Sequence, residues 1–442
     1  TAVIKAEYYF GAPVTNASVS YRVLREEYTH TCYPWGEWDW LYGPGYGYAY
    51  YDYDWFQWWG QYRSYCLPPP WWGHRPDPVR ELVKQDTARI DENGELRVQV
   101  DTSDALEHHG DLDHRYVIKA EVTDSSRRTI TGEGAVKVTR QAYYAYVNTD
   151  AGWHRPGEDI QVTIKCLTPN NEPVETEGVV TISRVKYGGP NNAEIETEQL
   201  ERFTAETTED GTVTFRRRWE RSGQLKIEFT APDEWGGQVK GYGLVWIVGR
   251  DFDGKLYKFD ELELITDKHT YQPGDTVHLM VNTERPDSYV LFAPEVDRGT
   301  LLDYRLIHLQ DGHTVIDIPV EEFDKPNFFV EATTVSNTHV FQQSKNILVP
   351  PESGIMDVNV KFDKAEYKPG ETARVTLNAT LPDGSPAANA QFALSAFDES
   401  VLYIQPEIAP QIAEFFHGRQ RHHSAWMGTN LLERFSTYGS LI

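Results

Sequence analysis

Basic residues, cysteine and long apolar runs are all scarce in this sequence, and each shortage excludes a class of protein. Lys and Arg number 42 against 67 Asp and Glu, a formal net charge of −25 and a pI near 5.0. A surface of that sign repels phosphate backbones, so nucleic acid is not an expected partner. No apolar run is long enough to span a bilayer, and no membrane contact is expected. The start, Thr1-Ala2-Val3-Ile4-Lys5, lacks the layout of a signal peptide. It begins inside a strand pattern, and the sequence stops at Leu441-Ile442 without a tail, so the chain reads as an excised fragment. Only three cysteines occur. Cys32 and Cys66 flank one insertion, and a disulfide between them would close its base for roughly 3 kcal/mol. Cys166 sits in an alternating strand and reads as a buried free thiol. An envelope or extracellular compartment is therefore allowed but not demanded.

What the sequence does hold is a recurring set of turns. Asp363-Lys364-x-x-Tyr367-x-Pro369-Gly370-Glu371-Thr372 leads into alternating Arg374-Val375-Thr376-Leu377. Pro sets φ for one central turn position and Gly supplies the positive φ of the next. Asp267-Lys268-His269-Thr270-Tyr271-Gln272-Pro273-Gly274-Asp275-Thr276 matches it position by position, and Trp153-His154-Arg155-Pro156-Gly157-Glu158 is a looser copy. A second turn recurs at Gly11-Ala12-Pro13-Val14, Asn171-Glu172-Pro173-Val174 and Gly384-Ser385-Pro386-Ala387. A third signature, Asn or Asp followed by Gly ahead of a strand, appears at Asn93-Gly94, Asp210-Gly211 and Asp311-Gly312. A spacing of roughly a hundred residues is too long for a solenoid and fits tandem domains of one fold.

With frequent Val, Thr, Tyr and Trp and a turn every ten or so positions, the expected class is all-β, as tandem antiparallel β-sandwiches ending in a short helical segment. Four modules are expected, at 1–139, 140–250, 251–350 and 351–442, with Pro350-Pro351 as a stiff linker before the last. In that last module Phe392–Phe397 and Val401–Ile404 read as two further strands. Near the end, Ile408, Ile412, Phe415 and Phe416 fall on one helical face.

Residues 31–72 interrupt the first module with a dense aromatic insertion that includes Trp35, Trp38, Trp40, Trp55, Trp58 and Trp59. Stacked Trp and Tyr can bind sugar faces or partner proteins. The plainer reading is a long hairpin whose aromatics pack on the module below as a satellite core.

Catalytic and cofactor chemistry find no footing. Glu107–His114 is dense in metal-ligand types, but its spacing matches no recognised set, and a solvated charged loop explains it better. Arg250-Asp251-Phe252-Asp253-Gly254 begins like a calcium loop yet has Leu262 where the distal Glu is needed. No nucleophile elbow and no glycine-rich phosphate loop occurs. No enzyme activity, metal or cofactor is expected.

The segment Ala396-Phe397-Asp398-Glu399-Ser400-Val401-Leu402, the Tyr-x-Pro-Gly openings, Tyr9-Phe10-Gly11-Ala12-Pro13-Val14, Val122-Thr123-Asp124-Ser125-Ser126-Arg127 and the closing Ala413-Glu414-Phe415-Phe416-His417-Gly418 carry a resemblance. In their order and spacing over essentially the whole chain they resemble the α-2-macroglobulins, and the bacterial members more closely than the animal ones. Phe397 departs from the usual Val. The family's thioester motif, Cys-x-Glu-Gln, is formed by none of Cys32, Cys66 and Cys166.

The resemblance implies part of a broad-spectrum protease trap in the bacterial periplasm, cell envelope or outside the cell, with target proteases as partners and a monomer as the working form. In such a trap a protease cuts an exposed bait segment and the cut releases a conformational change. Here that segment would begin near Tyr438-Gly439-Ser440. Arg419, Arg421 and Arg434 are candidate cuts for trypsin-like enzymes, and Phe435 for chymotrypsin-like ones. Arg419 and Arg421 equally suit the C-terminal end of the preceding helix, where cations are favoured. The alternative from another class is an adhesion or carbohydrate-binding array of immunoglobulin-like domains using the aromatic insertion.

Overall fold

The computed structural model describes residues 1–8, 11–28, 34, 36–43, 46, 80–110, 112–188, 194–249, 262–283, 285–294, 304–336, 339–364, 367, 370–397 and 412–423. Its strands are antiparallel apart from one short parallel pair, Trp246–Ile247 with Trp153–His154.

The first set of strands is β1 (Ala2–Lys5), β2 (Ser18–Glu27), β3 (Glu81–Arg89), β4 (Glu95–Val98), β5 (His114–Thr123) and β6 (Thr129–Val138). They form a β1-β4 pair facing a β3-β2-β5-β6 sheet. Two short helices join them, α1 (Asp39–Tyr42) and α2 (Ser103–His109). Helix α2 falls in the Glu107–His114 region expected as a charged loop. Asp101 Oδ1 accepts the Ser103 amide at 2.9 Å and so anchors its first turn.

The second set is β7 (Tyr144–Thr149), β8 (Trp153–His154), β9 (Asp159–Leu167), β10 (Glu177–Gly188), β11 (Glu194–Glu206), β12 (Thr212–Arg218), β13 (Gly223–Asp233) and β14 (Gly237–Ile247). A β12-β9-β7 sheet packs on a β11-β10-β13-β14-β8 sheet. Alternation along β9 sends Ile160, Val162, Ile164 and Cys166 inward, all fully buried. Each such aliphatic contributes about 2 kcal/mol on burial. They meet Val180, Ile182, Leu225, Ile227 and Phe229 from the facing sheet. Cys166 is a free thiol, and burial pushes its pKa up to about 12.

The third set is β15 (Glu263–Thr266), β16 (Thr276–Asn282), β17 (Ser288–Ala293), β18 (Arg305–Leu309), β19 (His313–Pro319), β20 (Asn327–Ser336) and β21 (His339–Leu348). Its sheets are β15-β16-β19 and β18-β17-β20-β21, enclosing Val277, Leu279, Val281, Val290, Phe292, Phe328 and Val330. A last pair, β22 (Asp357–Phe362) and β23 (Val375–Thr380), forms a two-stranded sheet.

The recurring turns have one geometry. Gly157, Gly274 and Gly370 have φ of +83°, +96° and +87°. The second turn closes on matching bridges, Glu7 to Pro13, Leu167 to Pro173 and Thr380 to Pro386. The Asn/Asp-Gly glycines Gly94, Gly211 and Gly312 lie at +75°, +72° and +79°. Even side chains repeat. Tyr271 Oη donates to Asp267 Oδ1 at 2.7 Å and accepts from the Lys268 amide at 3.0 Å. Tyr367 Oη makes the same two bonds with Asp363 and Lys364, at 2.5 and 3.2 Å.

One expectation near the end is corrected. Residues 391–397 form no strand, and Phe392, Leu394 and Phe397 stand exposed. Among the described residues the adjoining sheet has two strands, which offers them little to pack against. The terminal helix α3 (Ile412–His417) is short, and its apolar residues Ile412, Phe415 and Phe416 are exposed. Gly418 ends it, because a Cβ there would come within 2.4 Å of the Glu414 carbonyl oxygen.

Candidate functional site

The segment after α3 lies across the outer face of the β18-β17-β20-β21 sheet. Strand alternation on β20 turns Phe328 and Val330 into the core, which leaves Asn327, Phe329 and Glu331 on the opposite face. A single 3-10 turn, Glu322–Asp324, precedes the strand. It is held by a capping box in which the Glu321 amide donates to Asp324 Oδ2 at 2.7 Å. Lys325 Nζ ties the turn down through Glu322 Oε1 at 2.6 Å and Ser353 Oγ at 2.9 Å.

Held this way, the main-chain carbonyls of residues 323–327 converge on two guests. One is Arg421. Its Nη1 donates to the oxygens of Asp324 at 2.9 Å and Lys325 at 3.0 Å, and also to that of Asn327. Its Nη2 donates to the Phe323 oxygen. The other guest is Tyr42 from α1, whose hydroxyl donates to the Pro326 oxygen at 2.7 Å. Burial, with Tyr46 and Glu352 nearby, holds that phenol protonated well above its ordinary range.

Main chain is read as well as side chain. The Arg421 amide donates to Asn327 Oδ1 at 2.9 Å, and Asn327 Nδ2 returns a bond to the Arg421 carbonyl at 3.1 Å. The second Nδ2 hydrogen goes to Asn346 Oδ1 at 2.8 Å, so the whole amide of the fully buried Asn327 is committed. Two residues on, His423 Nε2 meets Glu331 Oε2 at 2.9 Å, its ring 5.6 Å from that of Phe329. His417 lies over Gly354, where an added Cβ would come within 2.9 Å of its Cε1.

Among the cut-site candidates, Arg419 is exposed and Arg421 is held as described. The Arg421 guanidinium serves the carbonyls of residues 323–327, a contact that neither the cut-site reading nor the helix-end alternative had named. Arg434 and Phe435 lie outside the described residues, as do Cys32, Cys66, Trp35, Trp55, Trp58, Trp59 and the loop at 250–254. Of the aromatic insertion, Trp38 is buried and Trp40 is 38% exposed, their rings 6.0 Å apart. Leu41 is buried as well, and Tyr42 reaches the Pro326 carbonyl just ahead of β20.

The histidine-rich cluster around α2 is tied into the first sheet. His109 Nε2 lies 3.0 Å from Arg25 Nη2, which is itself 2.7 Å from Glu81 Oε2. His114 is buried. Among the described residues, no group of three or more His, Cys, Asp or Glu is placed to hold a metal ion. No helix among them is long and apolar enough to cross a membrane. Neither Asn327 nor the carbonyl cluster was anticipated from sequence. A ring of main-chain carbonyls carries no side-chain signature, and the only pointer is the Glu321–Asp324 box spacing ahead of a strand.

Tandem two-sheet sandwiches with a C-terminal segment strapped to one of them define an all-β scaffold. Residues 262–404 match the model of the alpha-2-macroglobulin bait region domain. The chain is 25% identical over 323 residues to the alpha-2-macroglobulin of Ralstonia nicotianae, a match covering 70% of this chain and 19% of that protein. It is 32% identical over 160 residues to the alpha-2-macroglobulin homolog of Deinococcus radiodurans, covering 36% and 15%. A solved structure of trypsin-activated alpha-2-macroglobulin from Escherichia coli covers 95% of this chain and 27% of its own, with a TM-score of 0.40 and 14% identity. The chain is thus similar to bacterial alpha-2-macroglobulins, and residues 262–404 match their bait region domain. The matched stretch spans less than a fifth of the length of either of these two relatives.

Proposed function

We propose that this chain forms the upstream scaffold of a broad-spectrum endopeptidase inhibitor that acts by bait cleavage. The modules at 1–139, 140–250 and 251–350 supply rigid sandwiches, the module at 351–442 follows them with the hairpin of β22 and β23, and the backbone beyond His423 supplies the start of the cleavable segment. The observation that carries the reading is the extended segment 418–423, strapped to the β20 face, in a chain whose residues 262–404 match the bait region domain. A cut downstream of a strapped segment frees one end while the other stays fixed. That is the geometry a cleavage-triggered rearrangement needs.

Target proteases are the partners, met in the bacterial periplasm, at the cell envelope or outside the cell. The chain acts as a monomer and contributes no catalytic group or cofactor. Covalent capture through a thioester is not its own chemistry, since none of its cysteines stands in Cys-x-Glu-Gln.

Limited digestion with trypsin and with chymotrypsin, mapped by mass spectrometry, tests the reading. First cuts are expected between Gly418 and Phe435, with the sandwiches left whole. Early cuts confined to residues 31–72, with the C-terminal stretch resistant, would overturn it.

A further inference from the structure

We propose that the carbonyl cluster at residues 323–327, with Asn327, is an arginine-specific receptor on the third sandwich that captures Arg421 and withholds its peptide bond from trypsin-like proteases. This sharpens the bait-segment reading, on which its biological meaning rests. It marks a protected stretch: the hold covers Arg421 to His423, so Arg421, although a trypsin-type residue, is an anchor, while the exposed Arg419 upstream is left open to cutting.

The chemistry favours arginine strongly. Four carbonyl oxygens, of Phe323, Asp324, Lys325 and Asn327, are reached from two nitrogens of one planar guanidinium. Nη1 alone reaches three of them, so what a lysine ammonium, with its single nitrogen, would forfeit is the planar fork that adds the Nη2 bond to the Phe323 oxygen. The receptor is also shaped by contacts that do not involve its guest. The capping box fixes the turn, Lys325 braces it from outside, and Asn346 orients the Asn327 amide. Asn327 then holds both the N–H and the C=O of Arg421, which are groups a protease must itself engage in extended form. The His423–Glu331 pair prolongs the hold by two residues. Just upstream, Arg419 is exposed, so two arginines two positions apart face opposite fates.

The test compares the full chain with its Arg421→Lys and Asn327→Ala variants. Cleavage after position 421 is followed under single-hit trypsin digestion, and hydrogen exchange in the 418–424 peptide is followed without protease. In the parent chain the Arg421 bond should be cut at least about tenfold more slowly than the Arg419 bond, because proteolysis follows the population of the open form. Arg421→Lys keeps a trypsin site but loses the fork, so cleavage after 421 should speed up about tenfold although arginine has been removed. Asn327→Ala should give the same gain and faster exchange. Should Asn327→Ala disturb β20 itself, Arg421→Lys alone decides.

Equal cutting at Arg419 and Arg421 in the parent, or unchanged cleavage and exchange in Arg421→Lys, would overturn the proposal. If trypsin instead cuts first within 31–72 while exchange still shows the 421–423 segment protected and released by Arg421→Lys, the receptor stands and the bait reading fails.

Discussion

Replacing Gly211 with alanine should loosen the second sandwich by about 3 kcal/mol, a size set by two separable effects. Gly211 has φ +72°, and holding a non-glycine residue there costs about 1 kcal/mol by itself. A Cβ at this position would also lie 2.5 Å from the Cys166 carbonyl oxygen and 3.0 Å from the Val174 nitrogen. Both are main-chain atoms, so the turn rather than a flexible side chain must move, by roughly 0.9 Å to reach ordinary contact. That movement pulls the Gly211 oxygen from the Cys166 amide it accepts at 2.8 Å. Strain and the lost bond add about 2 kcal/mol. Gly236→Ala supplies the control. Its φ is +87°, but nothing lies within 4 Å of the built Cβ, so it should cost only the first increment. Hydrogen exchange read on peptides from β9 and β12 should show opening about a hundredfold more frequent for Gly211→Ala than for the parent. Equal costs for the two substitutions would refute the close-approach argument and leave only backbone strain.

Two further outcomes follow from buried polar groups. Tyr271→Phe removes a hydroxyl that bonds Asp267 and the Lys268 amide inside the third sandwich, and should cost about 2 kcal/mol by thermal unfolding. Tyr367→Phe deletes the same bonds at a solvent-exposed copy of the turn and should cost clearly less; equal losses would mean burial does not set the price. His114 has its pKa held below the ordinary 6.5 by burial, then by the charges of Arg25 and His109, with Asp113 and Glu27 opposing. Its folded value lies below its unfolded value, so the unfolded chain takes up the proton first. The stability it confers is full above pH 6.5 and declines as pH falls below it. Thermal scans of the first module from about pH 7.5 to about pH 5.5 should show this decline, and His114→Gln should flatten it. An unchanged slope in that variant would reject the assignment.

The turns were the most legible part of the sequence. Pro-Gly and Asn/Asp-Gly pairs specify backbone angles directly, so Gly157, Gly274 and Gly370 could be placed before any contact was known. Core strands were legible for a related reason. Alternation along Ile160–Cys166 is dictated by one buried face. Strand β3 was not anticipated because it is an edge, and edges carry charge to discourage further pairing. Glu81, Lys84, Asp86 and Arg89 break the alternation for that reason. Helix α2 was hidden by its His and Glu content, which reads as loop although Asp101 anchors its start. Arg421 was noticed as a candidate cut, with a helix-end contact as the alternative. Its position on a helical pattern suggested the helix end as its partner, whereas the carbonyls of residues 323–327 come from a segment nearly a hundred positions away. Such a receptor depends on chain path, and no local composition encodes chain path.

The open hairpin of β22 and β23 has a consequence for handling the chain in solution. Val358, Val360 and Phe362 project from one side of β22 and are exposed, a stripe prone to sticking to its own kind. Mutual repulsion from a net charge of −25 keeps such stripes apart at neutral pH. Acidification toward the isoelectric point near 5.0 removes that repulsion while leaving the stripe intact. Colloidal stability should therefore reach its minimum there, and salt, by screening the same charge, should bring on clumping at milder pH.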